Sequence, residues 1–467
     1  MKKYNGILTK IKHFHEIFDK RSYDTFKKVI TWILYLKDWK QWDLANFWEK
    51  SLCQIQYFFS KSQWNFKLLN DLRIQWIRNK IWWAKDKVSD ILIFDWSIFT
   101  KNKSSKFWWL TDYFFSNKDK KVVNWIELFW ASIYTKSGFK YVLDLSIFKK
   151  WNEKRENYSK INHAWRKFMM KVIKQSKSWL IVLDSGFKWA NMCKWIFQIL
   201  KRHFLVRIWE WQKIIDTNGD EYKISKLLLK STAIHYTNWR MWVFKKVFLK
   251  SWKIKWVNIP VNIIVFHKNG PKKPSVVATS ADLEDVYEKM VRNEWDASWK
   301  EKIRDLNEKN VKKLSIRNML DGTYLCFVYL YSKRWSIEEC FKELKSYLCF
   351  EDFRVQSYEA IMKYLHIALL VHTLLYITLF TLIQNKKSYK YIYEYLKEKR
   401  NIKNDRWKIT MMWLKLFIEM MYQNWFIWKI KRKKTIFLKN ILKYSISLKS
   451  ISFVKIEETC CVIWKSF

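Results

Sequence analysis

Glycine is nearly missing from this chain: it occurs 6 times in 467 residues, where usage near 7% would give about 33. Few positions can therefore take positive φ without steric cost, which restricts how hairpins and helix ends are made. Tryptophan shows the opposite excess, with 32 copies. Many stand where a turn favours glycine: Trp96 in DWSIFTK, Trp108 and Trp109 in KFWWLTD, Trp179 in KSWLIVLD, Trp209 and Trp211 in IWEWQK, Trp252 and Trp256 in KSWKIKWVNIP. Low GC content depletes glycine codons but cannot enrich tryptophan, whose standard codon is UGG. One cause covers both anomalies: UGA codons meant as glycine and written as tryptophan. The alternative is a protein that uses this much tryptophan, with bulky rings on its loops. Mass spectrometry of natively expressed peptides spanning Trp252 to Trp256 decides between the two.

Charge narrows the partner. Lys and Arg number 89 against 43 Asp and Glu, a net +46, and such a field attracts polyanions and releases their counterions. Nucleic acid is the leading partner, although an AT-biased genome would swell Lys, Asn, Ile, Phe and Tyr without any ligand. The length allows two or three domains with a substantial core. The seven cysteines form no CxxC pair, which argues against a disulfide framework and structural zinc and for a reducing cytoplasm. The N-terminus is basic without the continuous apolar run of a signal peptide. Tyr364 to Ile383 is long and apolar enough to span a bilayer, but its His366, His372 and hydroxyl residues favour a buried core helix.

Periodicity divides the chain into five stretches. Residues 1–86 read as helical, with Phe26, Ile30, Ile33 and Leu34, then Leu52, Ile55, Phe58 and Phe59, at helical spacing. This suits either a DNA-end-binding domain or an ordinary helical bundle. Residues 87–208 read as strand SDILIFD, a hairpin around Gly138, a helix near 155–177, strand WLIVLD, a short helix and strand FLVRI, the order of a mixed α/β sheet. Residues 209–328 carry further strand signals and all three prolines, as a β-rich insertion would. Helices resume over 329–384, and the basic tail 385–467 includes KIKRKK.

Three carboxylates stand out by context. Asp95 and Asp184 each end an apolar strand, where a sheet presents side chains to a crevice. Glu338 follows Ser336 in a pattern that predicts a capping box, with Ser336 as N-cap and Glu339 at N3. Glu338 is then free, and Lys345 lies two turns further on the same helix. Three hard oxygen ligands suit one or two Mg²⁺ or Mn²⁺ ions, and two such ions promote in-line attack on a phosphodiester.

Tyr331, Arg334, Glu338 and Lys345 match the Y-(2)-R-(3)-E-(6)-K signature, and RWSIEECFKELK resembles the surrounding helix, of DDE transposases from a large group of bacterial insertion sequences. Trp335 matches a genuine tryptophan of that helix. FDWSIFTK and VLDSGFKWANM then place the first and second Asp at Asp95 and Asp184; the long gap before Glu338 is what a β insertion would produce. The resemblance covers roughly residues 88–383. It implies a ribonuclease H-like core in which Asp95, Asp184 and Glu338 hold two Mg²⁺ (or Mn²⁺) ions. Tyr331, Arg334 and Lys345 grip phosphates, with Arg207 a further DNA contact. It further implies nicking of double-stranded DNA at the element ends, transfer of the 3′-hydroxyl to target DNA, a homodimer pairing two ends, and a cytoplasmic, DNA-associated protein without a membrane partner. Three rivals remain: an inert DNA-binding descendant, another nuclease with the same core, and a basic membrane protein. Trp96 and Trp189, if real, are expected to crowd the metal crevice.

Overall fold

A computed structural model describes, with short interruptions, residues 11–35, 52–80, 87–101, 112–116, 121–148, 158–184, 189–224, 233–236, 241–244, 249–254, 259–268, 275–281, 327–350 and 357–384, with isolated positions at 285, 390, 393, 394 and 398. The KIKRKK segment and Trp108, Trp109, Trp211 and Trp256 lie outside them.

In chain order the elements begin with helices α1 (Lys20–Tyr35), α2 (Leu52–Ser60) and α3 (Phe66–Lys80). Strands β1 (Ile91–Lys101), β2 (Asp112–Ser116), β3 (Lys121–Tyr134) and β4 (Lys140–Ile147) follow, then α4 (Tyr158–Lys174), β5 (Leu180–Leu183), α5 (Trp189–Gln198) and β6 (His203–Ile208). Next come β7 (Lys213–Ile215), β8 (Glu221–Lys223), β9 (Ala233–Tyr236), β10 (Met241–Phe244), β11 (Leu249–Ile254), β12 (Pro260–Lys268) and β13 (Ser275–Thr279). Helices α6 (Trp335–Tyr347) and α7 (Tyr358–Gln384) close the series. These elements form two compact units, Ile74–Cys340 and Met1–Arg73 with Phe341–Phe467.

The unit Ile74–Cys340 is organised by one mixed sheet. At its centre β1 runs antiparallel to β3 and parallel to β5, β5 runs parallel to β6, and β4 flanks β3. The sheet continues beyond β6 through β13, β12 and β11, all antiparallel. Ile91–Phe94, Leu180–Leu183 and Phe204–Val206 are buried almost completely, as unbroken apolar runs must be when both faces of a strand are covered. The β3–β4 hairpin forms as its sequence predicts: Gly138 takes φ 81°, and the Thr135 N–H donates to the Phe139 carbonyl at 2.8 Å.

Strand alternation sorts the two faces. Phe94, Trp96 and Ala131 share one face with Phe129, the register partner of Trp96. Phe129 stacks on Trp165 of α4 at 4.2 Å, and Phe94 meets Phe168 edge-on at 6.1 Å, so α4 covers this face. Asp95 and its register partner Trp130 point to the other face. Trp96 therefore does not crowd the crevice at Asp95, contrary to expectation, because neighbouring side chains on a strand leave by opposite faces. No described tryptophan takes positive φ either; Lys201 is the only non-glycine that does so among the described residues. Trp96 sits in a strand, Trp179 is buried, and Trp209 is exposed at the end of β6.

The second unit is helical. Phe26, Ile30, Ile33, Leu34, Ile55, Phe58 and Phe59 all lie in its core, as their spacing requires. Phe18 stacks on Phe26 at 4.4 Å, and Phe58 on Trp64 at 5.3 Å. Asp19 caps α1 by accepting the Ser22 N–H at 2.8 Å, and Asn65 caps α3 through the Lys67 N–H at 2.9 Å. Helix α7 is long and apolar enough to cross a membrane, but 94% of its most apolar window is buried in protein. Its polar groups have partners in the same unit: the Arg73 guanidinium donates to Thr373 Oγ1 at 3.0 Å, and a ring nitrogen of His372 lies 3.0 Å from Glu343. The apolar stretch is thus a core helix packed on α1 and α2. Packing groups Phe341–Phe467 with the N-terminal helices.

Candidate carboxylate site

Register brings Asp95 and Asp184 together. The parallel pairing of β1 and β5 ends at Phe94 opposite Leu183, and each Asp is the next residue. Asp184 ends its strand as predicted, but Asp95 does not: β1 runs on to Lys101 against β3. Asp95 marks the point where the parallel neighbour stops, so a carboxylate there faces a crevice without a strand end. Arg207 follows Val206, the partner of Leu183 on β6, and so stands level with Asp184.

Helix α6 supplies the third carboxylate. Its entry is not the predicted capping box. The helix already includes Trp335, and Ser336 lies within it with a hydroxyl that has no hydrogen-bond partner. The physical reason is the preceding turn. The N–H groups of Lys333, Arg334, Ser336 and Ile337 already donate to the carbonyls of Leu330, Tyr331, Lys333 and Arg334, so the turn continues into the helix ahead of Ser336 and leaves that residue inside it. Glu339 instead accepts from Lys140 Nζ at 2.7 Å, and Lys333 lies 4.9 Å over the Tyr134 ring. Both contacts fasten the start of α6 to the tip of the β3–β4 hairpin, and Lys140 is 199 residues from its partner, beyond the reach of any local sequence signal. Ile337 and Cys340 are buried, which leaves Glu338 on the flank of the apolar stripe.

One guanidinium lies among the three acids. Arg334 Nη1 is 2.5 Å from Glu338 Oε1 and 3.6 Å from Asp95 Oδ2, and Nε is 3.8 Å from Asp184 Oδ1. Tyr331 donates its hydroxyl to Asp184 Oδ1 at 3.5 Å. Side-chain exposure rises from 14% at Asp95 through 28% at Asp184 to 35% at Glu338, so the cluster opens to solvent on the α6 side. Burial pushes Asp95 up to about 7; Arg334 opposes the rise, Asp184 adds to it, the Trp96 N–H opposes it and Glu338 adds again. Burial also holds the Tyr331 phenol above its ordinary value, so it remains a neutral donor. For Arg334 burial opposes the charge, but the oxygens of Tyr331, Asp184, Glu338 and Asp95 outweigh it and raise the guanidinium.

The donor set fits a divalent cation. Three carboxylates against one guanidinium leave excess negative charge, all donors are hard oxygens, and a buried acid at Asp95 would gain from added positive charge. Of the sequence-predicted residues, Asp95, Asp184, Glu338, Tyr331 and Arg334 converge, and Arg207 is near enough to act electrostatically on Tyr331. Lys345 lies two turns along α6, its ammonium 4.2 Å over the Phe341 ring. Four residues between Asp184 and Trp189 lie outside the described set, as does the Trp189 side chain.

A mixed sheet in the order β4-β3-β1-β5-β6, with carboxylates at the β1 and β5 positions and on a later helix, fits a ribonuclease H-like transposase. The family profile "Transposase DDE domain" matches residues 87–374, and the chain belongs to this family. The family implies a nuclease or nucleotidyl-transferase type of enzyme that acts on DNA and uses divalent metal ions. No curated protein matches the chain.

Proposed function

We propose that this transposase belongs to the group with the Y-(2)-R-(3)-E-(6)-K signature, and that it nicks the ends of its element and joins them to target DNA. The observation that carries the reading is the convergence of Asp95, Asp184 and Glu338 around Arg334. Asp95, Asp184 and Glu338 would hold two Mg²⁺ or Mn²⁺ ions. When bound, such ions supply Lewis acidity and lower the pKa of the attacking hydroxyl.

The chain's own groups do the rest. Asp95 is the most buried of the three acids, and the lower local dielectric there strengthens its charge interactions. Arg334 offers a planar fork for a phosphate, Tyr331 a neutral hydroxyl donor, Lys345 a point charge and Arg207 a second fork for the flanking backbone. In the first step a water oxygen attacks phosphorus, the P–O3′ bond breaks, and the 3′-oxygen leaves and takes a proton. In the second, that 3′-hydroxyl attacks a target phosphodiester and displaces the target 3′-oxygen. Two ends must be brought together for a paired insertion, which calls for a homodimer acting on DNA in a bacterial cytoplasm.

The test is divalent-metal-dependent nicking of DNA carrying the element's own ends, with Glu338→Gln as control. Cleavage that exposes a 3′-hydroxyl and drops at least a thousandfold in the control, with end binding retained, is the expected result. Specific binding without cleavage in the wild type would make the protein an inert DNA-binding descendant.

A further inference from the structure

We propose that Arg334 is an internal counter-cation, holding Asp95, Asp184 and Glu338 together in the metal-free protein and competing with divalent ions for them. The inference rests on the metal-site reading above. A residue that served DNA phosphate alone would stay hydrated and extended until DNA arrived. Arg334 is instead only 10% exposed and reaches all three carboxylates from one fork, Nη1 towards Glu338 and Asp95 and Nε towards Asp184.

The placement has a local and a tertiary source. Arg334 and Glu338 are four residues apart, so their contact follows from the helical turn itself. Asp95 and Asp184 arrive from separate strands, and a positive charge between them and Glu338 eases their mutual repulsion. The rings of the buried Tyr331 and the exposed Trp335 lie 5.8 and 5.9 Å from the guanidinium carbon. Arg suits the task because it is weakly hydrated, permanently charged and forked, whereas a lysine presents a single point.

One guanidinium offsets only part of the charge that three carboxylates can carry. The remainder attracts a divalent ion, while the guanidinium charge weakens that attraction. With divalent charge in the cluster, Arg334 is repelled from it and becomes available to a substrate phosphate. Metal loading and grip on DNA are then linked through one side chain.

The experiment uses the full chain, stripped with chelator, as wild type, Arg334→Gln, Arg334→Lys and Asp95→Asn. Free Mn²⁺ is followed by its electron paramagnetic resonance signal during titration, and melting is recorded with and without Mn²⁺. Arg334→Gln is expected to melt lower than wild type without metal, to bind Mn²⁺ on the order of tenfold tighter, and to gain more from Mn²⁺ in melting temperature. Arg334→Lys should fall between the two, and it carries the test if the Gln variant does not fold. Mn²⁺ affinity in both variants equal to or weaker than wild type, with binding still lost in Asp95→Asn, would overturn the role of Arg334 and leave the metal site standing. Mn²⁺ binding that ignores Asp95→Asn would overturn the metal site itself and this inference with it.

Discussion

Asp95 is a carboxylate whose surroundings work against its charge. It lies on a covered sheet face beside two further acids, and burial is the largest influence holding it near 7 instead of 3.8. A raised carboxyl binds its proton more tightly in the folded state than in the unfolded chain. The metal-free protein therefore loses stability as pH rises from about 4 to about 7 through this one group. Chemical denaturation of chelator-treated protein across that range should show the decline, and Asp95→Asn should flatten it; equal slopes in the two proteins would remove Asp95 as the source. Its neighbour Trp96 shows how a residue can be conspicuous in sequence and remote from the chemistry. The pair is adjacent in the chain, yet strand alternation sends one ring into the α4 face and one carboxylate into the crevice. Of the tryptophans suspected of standing at turns, Trp96, Trp179, Trp209 and Trp252 are described and none takes positive φ.

Helix α6 is where the sequence signal and the structure part. Ser336 and Glu339 have capping-box spacing, but that pattern carries no information about the turn before it. Because the Ser336 and Ile337 N–H groups already donate to the preceding turn and the Ser336 hydroxyl caps nothing, Ser336→Ala should change stability by less than about 0.5 kcal/mol. A true N-cap would lose about 1 kcal/mol in the same denaturation experiment. Glu339→Ala should cost more, about 1 to 2 kcal/mol, since it removes a 2.7 Å charge-assisted hydrogen bond from the buried Lys140 ammonium. If Ser336→Ala is the more damaging of the two, the described entry to α6 is wrong. Other elements were legible because their signals are local: the glycine-closed β3–β4 hairpin, the apolar runs of β5 and β6, and the 3.6-residue stripe of α1 each carry their own period.

At the scale of the molecule the dominant property is charge. A net of +46 against the DNA backbone makes binding strongly salt-dependent. For a footprint of several phosphates, raising monovalent salt from about 50 to about 200 mM should weaken binding to element ends by about a thousandfold or more. A flat salt profile would mean that few of these charges meet phosphate. Composition, strand and helix periods and the spacing of Tyr331, Arg334, Glu338 and Lys345 were determined by the sequence alone, because each is a property of residues close together or of a sum over all of them. Tertiary structure decided what depends on register and packing: that Asp95 and Asp184 become neighbours where β1 and β5 stop pairing, that α7 is buried among helices, and that Lys140 fastens Glu339 from across the chain. These pairings join residues tens to hundreds of positions apart. No local pattern encodes such a distance; only the closing of the sheet and the burial of its faces select it.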